Sequence, residues 1–147
     1  MKKTYLNLTI RLAAIVLLAS ISTAQAEIII GTVVGVADGD TLTVFNHDKQ
    51  EVKMRLAEID SPEKRQAFGT RSKQSLSALC FVKYAEIIPQ VKDLYKRTVA
   101  YVKRSGIDAN TEQVKRGMAW AYTRYVKDHH LYVLQREAKG AKRGFMD

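Results

Sequence analysis

The pattern that most constrains this chain is a change of hydrophobic period, from two residues to about 3.6 and back, within the 121 residues from Glu27 to Asp147. Ile28 to Val36 and Thr41 to Phe45 alternate β-branched and small residues, and the turn-forming cluster Asn46-His47-Asp48-Lys49 follows. Gln50 to Ala57 alternates again, with Val52, Met54 and Leu56 on one face and Glu51, Lys53 and Arg55 on the other. These three segments predict a meander in which Arg55 points away from the buried face. Phe68 to Val82 then places Phe68, Ser72, Leu76 and Leu79 on one helical stripe, which predicts an amphipathic helix. Ala85 to Val91 and Thr98 to Val102 return to strand, and Pro89 assigns the first of them to a sheet edge. Ser105-Gly106 supplies a turn, Asn110 an N-cap for a short helix ending at Gly117, and Asp128 an N-cap for a last helix through Leu131, Leu134 and Ala138. The expected fold is α+β, mainly β: a small five-stranded barrel with about three helices packed against it.

Residues 1–26 are read apart from that fold. Lys2, Lys3 and Arg11 give a positive start, Leu12 to Ile21 an apolar run, and Ala24-Gln25-Ala26 a small-x-small cleavage pattern, so a removable signal peptide is expected. The apolar run is shorter than the roughly 20 residues of a spanning helix. The expectation is export to the periplasm or the medium, with no stable membrane association after cleavage. The remaining length suits one domain and one core, 27–147, expected as a monomer.

Charge narrows the partners without choosing among them. The leader carries three basic residues and no acids, so the formal charge of +9 becomes +6 for residues 27–147, an excess that favours polyanions. Cys80 is the only cysteine, which excludes an intramolecular disulfide, and its apolar run Leu79-Cys80-Phe81-Val82 reads as core. One Cys and three His without zinc-ligand spacing leave a metal, where there is one, to oxygen ligands.

Against that background stand acids and arginines in a fixed order: Asp38-Gly39-Asp40-Thr41, Arg55, Asp60-Ser61-Pro62-Glu63 and Arg97. Carboxylates hold a hard cation, which takes about 6 to 8 oxygen ligands, and activate water. A guanidinium pairs with phosphate oxygens through two parallel hydrogen bonds, as lysine does not. Together these are the parts for cutting a phosphodiester.

The same residues carry a family resemblance. Val36-Ala37-Asp38-Gly39-Asp40-Thr41, Met54-Arg55-Leu56, Ile59-Asp60-Ser61-Pro62-Glu63, Asp93-Leu94-Tyr95-Lys96-Arg97, Asn110 and Arg116-Gly117-Met118-Ala119 occur in the order of the staphylococcal nuclease (thermonuclease) family, which the chain resembles over nearly all of 27–147. The resemblance implies an OB-fold barrel and calcium-dependent hydrolysis of DNA and RNA with little sequence specificity, leaving a 3′-phosphate and a 5′-hydroxyl. It implies that Asp40 and Asp60 bind Ca2+ through their carboxylates and Ser61 through its backbone carbonyl. By the same resemblance Glu63 orients or deprotonates the attacking water, Arg55 and Arg97 hold the scissile phosphate, and Tyr95 and Tyr125 contact the nucleotide.

Blander readings stand beside these. Asp38 either bonds backbone amides of its own turn or serves a metal from the outer shell. Glu63, following Pro62, is also an acid at a helix start. Trp120, Tyr122 and Tyr125 read either as core and cleft wall or as stacking platforms, and Lys64-Arg65 and Lys139 to Arg143 as solvated basic faces. Lys96 departs from the glycine common in the family, and Gly144-Phe145-Met146-Asp147 stands where relatives often carry Gly-Leu-Trp, a missing aromatic that is expected to weaken C-terminal packing. The alternatives to catalysis are a nucleic-acid-binding module on the same barrel and a protein binding an acidic polysaccharide; the second gives the acids no role.

Overall fold

A computed structural model describes residues 27–146; the expected signal peptide lies outside the described residues, as does residue 147. The order is β1 (Ile29–Val36), β2 (Thr41–Asn46), β3 (Glu51–Leu56), β4 (Ile59–Asp60), α1 (Gly69–Cys80), β5 (Tyr84–Lys92), β6 (Thr98–Arg104), β7 (Ile107–Asp108), α2 (Ala109–Lys115), β8 (Trp120–Ala121) and α3 (His130–Gly140). β1, β2 and β3 form the expected antiparallel meander. β5 pairs with β1 and β6, and β6 returns to lie parallel to β3, closing a five-stranded mixed barrel. The short strands β4 and β8 pair outside it.

The barrel interior is filled by the apolar side of each alternation, with Val33, Leu42, Val44, Met54, Leu56, Ile87 and Val102 fully buried. Each such side chain contributes about 1.5–3 kcal/mol relative to exposure. Stability therefore sits in the interior, and the outward positions are free to carry charge. Arg55, flanked by buried Met54 and Leu56, points outward as its spacing predicts. Leu76 and Leu79 of α1, Val114 of α2 and Leu131 and Leu134 of α3 extend the same core. Buried Cys80 belongs to it, and burial pushes its thiol up to about 11, against the opposing charges of Lys83, Arg104 and Arg116.

Three local expectations need correction. β5 is internal, not an edge: its pairing with β1 ends at Ile87, so Pro89 lies past the point where an amide is needed there, beside a register shift between Pro89 and Val91. Asn110 is not the cap of α2. Asp108 caps it by accepting from the Thr111 amide at 2.9 Å, while buried Asn110 accepts from Val102 N and donates to Ala57 O and Ala100 O, tying α2 to β6 and to the end of β3. Asp128 accepts from His130 N at 2.9 Å from one residue ahead of the N-cap position, His129.

Barrel closure assembles the functional end. Thr41 opens β2 opposite Arg55, Arg55 lies opposite Val99, and Arg97 immediately precedes β6. Three segments remote in sequence thus meet at one rim.

Candidate active site

Asp40 is buried at that rim with 6% exposure. Its Oδ1 accepts from Thr41 Oγ1 at 2.9 Å, and its Oδ2 accepts from the Ser61 amide at 3.0 Å. Burial pushes its carboxyl up to about 7; the Arg55 charge opposes this and the Asp38 charge adds to it. The loop holding Asp40 is tightly supported. A Cβ on Gly39 would collide with Ser72, so only glycine lets the loop lie against α1, and Gln113 of α2 donates to the Gly39 carbonyl at 2.8 Å. Asp38 Oδ1 accepts from the Asp40 amide at 3.1 Å, the backbone role that an acid in a glycine turn performs.

Arg55 joins the two metal-ligand candidates. Its Nη2 donates to Asp60 Oδ1 at 2.9 Å and lies 3.7 Å from Asp40 Oδ2. Arg97 reaches the same group of side chains from the other side, with Nη1 3.4 Å from Thr41 Oγ1. Its Nε donates to Asp93 Oδ2 at 2.7 Å. Asp93 also accepts through Oδ1 from the amides of Tyr95 and Arg97, so one carboxylate shapes the turn and aims the guanidinium. Burial, the largest influence on Asp93, raises its carboxyl, but the Arg97 hydrogen bonds and charge with the Tyr95 amide outweigh it and the net shift is downward. Lys96 occupies this turn with φ of 62°, the left-handed region where glycine is at ease.

A cleft of about 480 Å³ opens beside the two arginines, lined also by Tyr95, Tyr101, Tyr122 and Tyr125. The Arg97 guanidinium lies 5.5 Å from the centre of the Tyr95 ring, and that of Arg55 5.5 Å from the centre of Tyr122. Tyr122 meets Tyr125 edge to face at 4.9 Å. Tyr95 and Tyr125 are exposed, and the tyrosines form cleft wall. Trp120 instead packs edge to face on Phe145 at 5.5 Å, so Phe145 supplies the aromatic contact near the C-terminal end.

Glu63 is not brought into this network. It is exposed, its amide donates to Gln66 Oε1 at 2.7 Å, and its carboxylate makes no hydrogen bond or ion pair among the described residues. Its segment is nevertheless placed close to the start of α1, because a Cβ on Gly69 would strike the Glu63 carbonyl.

The donor set suits a hard cation. Asp40 and Asp60 lie within reach of one guanidinium nitrogen, and Asp60 Oδ2 is left without a hydrogen bond among the described residues. A buried carboxylate whose one ion-pair partner among the described residues is Arg55 at 3.7 Å, with the Asp38 charge opposing its ionisation, gains from a divalent neighbour. Among the described residues no three His, Cys, Asp or Glu side chains converge, so a cation held by Asp40 and Asp60 would have to complete its shell with neutral oxygens and water, which calcium accepts.

Sequence reasoning left three supporting residues without a role. Asp93 stood inside the quoted motif, Gln113 is a fully buried polar residue on α2, and Glu58 is a buried acid in the turn between β3 and β4. A charged side chain between apolar Ala57 and Ile59 was the available signal for Glu58, whereas Gln113, among the polar residues Thr111, Glu112 and Lys115, carried none.

Known proteins bear on the same conclusion. The family model described as staphylococcal nuclease homologue matches residues 53–146. The chain is 46% identical over 110 residues to a Haemophilus influenzae protein named as an uncharacterized endonuclease, covering 75% of this chain and 61% of that one. It is 36% identical over 143 residues to the micrococcal nuclease of Shigella flexneri and 38% identical over 143 residues to protein ParB of Escherichia coli, covering 90% of this chain and 80% of each. Barrel topology, motif order and sequence identity agree, and the chain belongs to the staphylococcal nuclease family.

Proposed function

We propose that this chain is a calcium-dependent phosphodiester hydrolase that cuts DNA and RNA with little sequence preference and leaves 3′-phosphate and 5′-hydroxyl ends. The observation that carries this reading is one continuous set of contacts running from Asp60 through Arg55, Asp40 and Thr41 to Arg97 and Asp93. Asp40 and Asp60 would hold the metal with their carboxylates and Ser61 with its backbone carbonyl. Bound there, calcium would supply Lewis-acid polarisation of a phosphoryl oxygen.

The residues of the chain supply the rest. Asp93 engages Nε of Arg97, which leaves the outer edge of that guanidinium for a phosphate, whereas Asp60 fixes Arg55 through its outer nitrogen Nη2. Tyr95 and Tyr125 flank the cleft and contact the nucleotide. Glu63 orients or deprotonates the attacking water. A positioned base is worth about 10²–10⁴ in rate and each preorganised donor about 10²–10³, so neither suffices alone.

A second reading, a binding module without catalysis, draws on the lack, among the described residues, of any hydrogen bond or ion pair from the Glu63 carboxylate to the acid and arginine network. One experiment separates the two. Purified protein is incubated with single-stranded DNA, duplex DNA and RNA, in calcium and then in chelator, and the product ends are identified. Calcium-dependent release of 3′-phosphates supports the hydrolase; binding without cleavage by folded protein supports the module. We further propose that residues 1–26 direct export and are removed, which N-terminal sequencing of exported protein tests by finding Glu27 first.

A further inference from the structure

Glu58 is an anomaly in the cleft. Arg55, Lys92, Arg97 and Lys127 line the cleft with two acids; Asp93 is paired with Arg97, whereas Glu58, 4% exposed, makes no ion pair among the described residues. Its backbone φ is 65°, a region that L side chains rarely adopt, so the fold retains a side chain where glycine fits with less strain. The carboxylate is fully engaged. Oε1 accepts from the Tyr101 hydroxyl of β6, and Oε2 accepts from the amides of Lys127 at 2.9 Å and Asp128 at 2.8 Å.

Those two amides belong to the irregular segment 122–129, which joins β8 to α3 and carries Tyr122, Tyr125 and Lys127 to the cleft. Such a segment has no ladder to occupy its amides, and buried or half-buried backbone donors need partners. The Glu58 carbonyl accepts a third amide from the same segment, that of Tyr122 at 2.8 Å. The segment's own turn is closed only by Tyr125 N and Val126 N donating to Tyr122 O. Glu58 therefore clamps both ends of the tyrosine turn, one through its backbone and the other through its side chain, and ties both to β6.

We propose that Glu58 is a positioning residue for nucleic-acid binding: its carboxylate braces segment 122–129 against Tyr101, and so holds Tyr122 beneath Arg55 and Tyr125 at the cleft mouth. This rests on the reading of the cleft as a nucleic-acid site. The arginines keep their own anchors, Asp60 and Asp93, so the brace acts on binding of the strand and not on the chemical step.

The test compares wild-type protein with Glu58→Ala, Glu58→Gln and Tyr101→Phe. Affinity for a fluorescent single-stranded oligonucleotide is read by anisotropy in chelator, KM and kcat in calcium, and amide exchange at Lys127 and Asp128 by NMR. Glu58→Ala is expected to weaken oligonucleotide binding and raise KM by about tenfold at near-constant kcat, with loss of protection at both amides. Glu58→Gln keeps an acceptor for the two amides and should restore most of the affinity; Tyr101→Phe should give a smaller loss. Unchanged affinity and KM in folded Glu58→Ala would overturn the proposal, as would an equal fall in kcat. Should Glu58→Ala fail to fold, affinity in the other two variants decides: wild-type values with undiminished exchange protection in Tyr101→Phe and a tenfold loss in Glu58→Gln would overturn it. A wild-type protein that binds but does not cleave would refute the hydrolase reading alone, since anisotropy still reads the brace.

Discussion

Arg55 and Asp60, five residues apart, share a 2.9 Å hydrogen bond that makes a proposed phosphate-binding cation and a metal-ligand candidate parts of one unit. The bond exists because β3 ends at Leu56 and the chain turns through Ala57 and Glu58 into β4, which returns Asp60 to the Arg55 guanidinium. Replacing either partner should disturb both proposed functions.

Arg55→Lys is therefore expected to lower kcat by about 10²–10³, because an ammonium cannot make two parallel bonds to phosphate while still reaching Asp60. Steady-state cleavage of single-stranded DNA at saturating calcium measures this. The half-saturating calcium concentration should shift as well, since Asp60 loses the group that orients it. Retention of wild-type kcat would remove Arg55 from the machinery.

Asp40 gives a pH dependence with a definite sign. Its folded carboxyl is pushed up to about 7 from the ordinary 3.8, chiefly by burial. The folded protein without metal thus binds more protons than the unfolded chain between those values. The contribution of Asp40 to stability is present below pH 3.8 and is lost as pH rises through about 7. Calcium needs the ionised form, so its affinity should fall about tenfold for each pH unit below 7, with a proton released on binding. Calorimetry at pH 5.5, 6.5 and 8 in two buffers of different ionisation enthalpy reads both effects; a flat affinity profile would count against Asp40 as a ligand.

Glu63→Gln separates chemistry from binding. The side chain is exposed and carries no structural hydrogen bond among the described residues, so the substitution should leave the unfolding midpoint unchanged. As the proposed base it should lower kcat by about 10²–10⁴ while calcium and oligonucleotide affinity stay near wild type. Loss of calcium affinity in parallel would make Glu63 a ligand instead.

What the sequence reveals and what it hides divide along the range of the interactions. The meander was legible because alternation is local, and Arg55 was placed on the outer face by the same two-residue period. Pro89 was misjudged because edge or interior status depends on where β1 stops, which no residue near Pro89 encodes. Asn110 was misjudged because three buried backbone groups of β6 and the β3 end compete for its amide more strongly than a helix terminus does. The acids and arginines could be named from motif order, but their contacts through Thr41 arise only when β3 and β6 close the barrel. Glu58 was hidden for the same reason, its two amide partners lying 69 and 70 residues away.

Lys96 offers a test of how the Arg97 turn is held. Its φ of 62° costs an L residue about 1–2 kcal/mol relative to the right-handed region, a strain glycine does not bear. The turn does not depend on the Lys96 side chain for its shape: Lys96 N donates to Asp93 O at 3.0 Å, and Asp93 gathers the Tyr95 and Arg97 amides and the Arg97 Nε. Lys96→Gly should therefore stabilise the protein by about 1 kcal/mol in urea unfolding, while Asp93→Asn, which weakens the turn and frees Arg97, should lower kcat. Because Lys96 is exposed beside Arg97, its charge can still assist a phosphate electrostatically. A rise in KM with a shallower salt dependence in Lys96→Gly would reveal that contribution, and an unchanged KM would leave the turn conformation as the residue's only measurable effect.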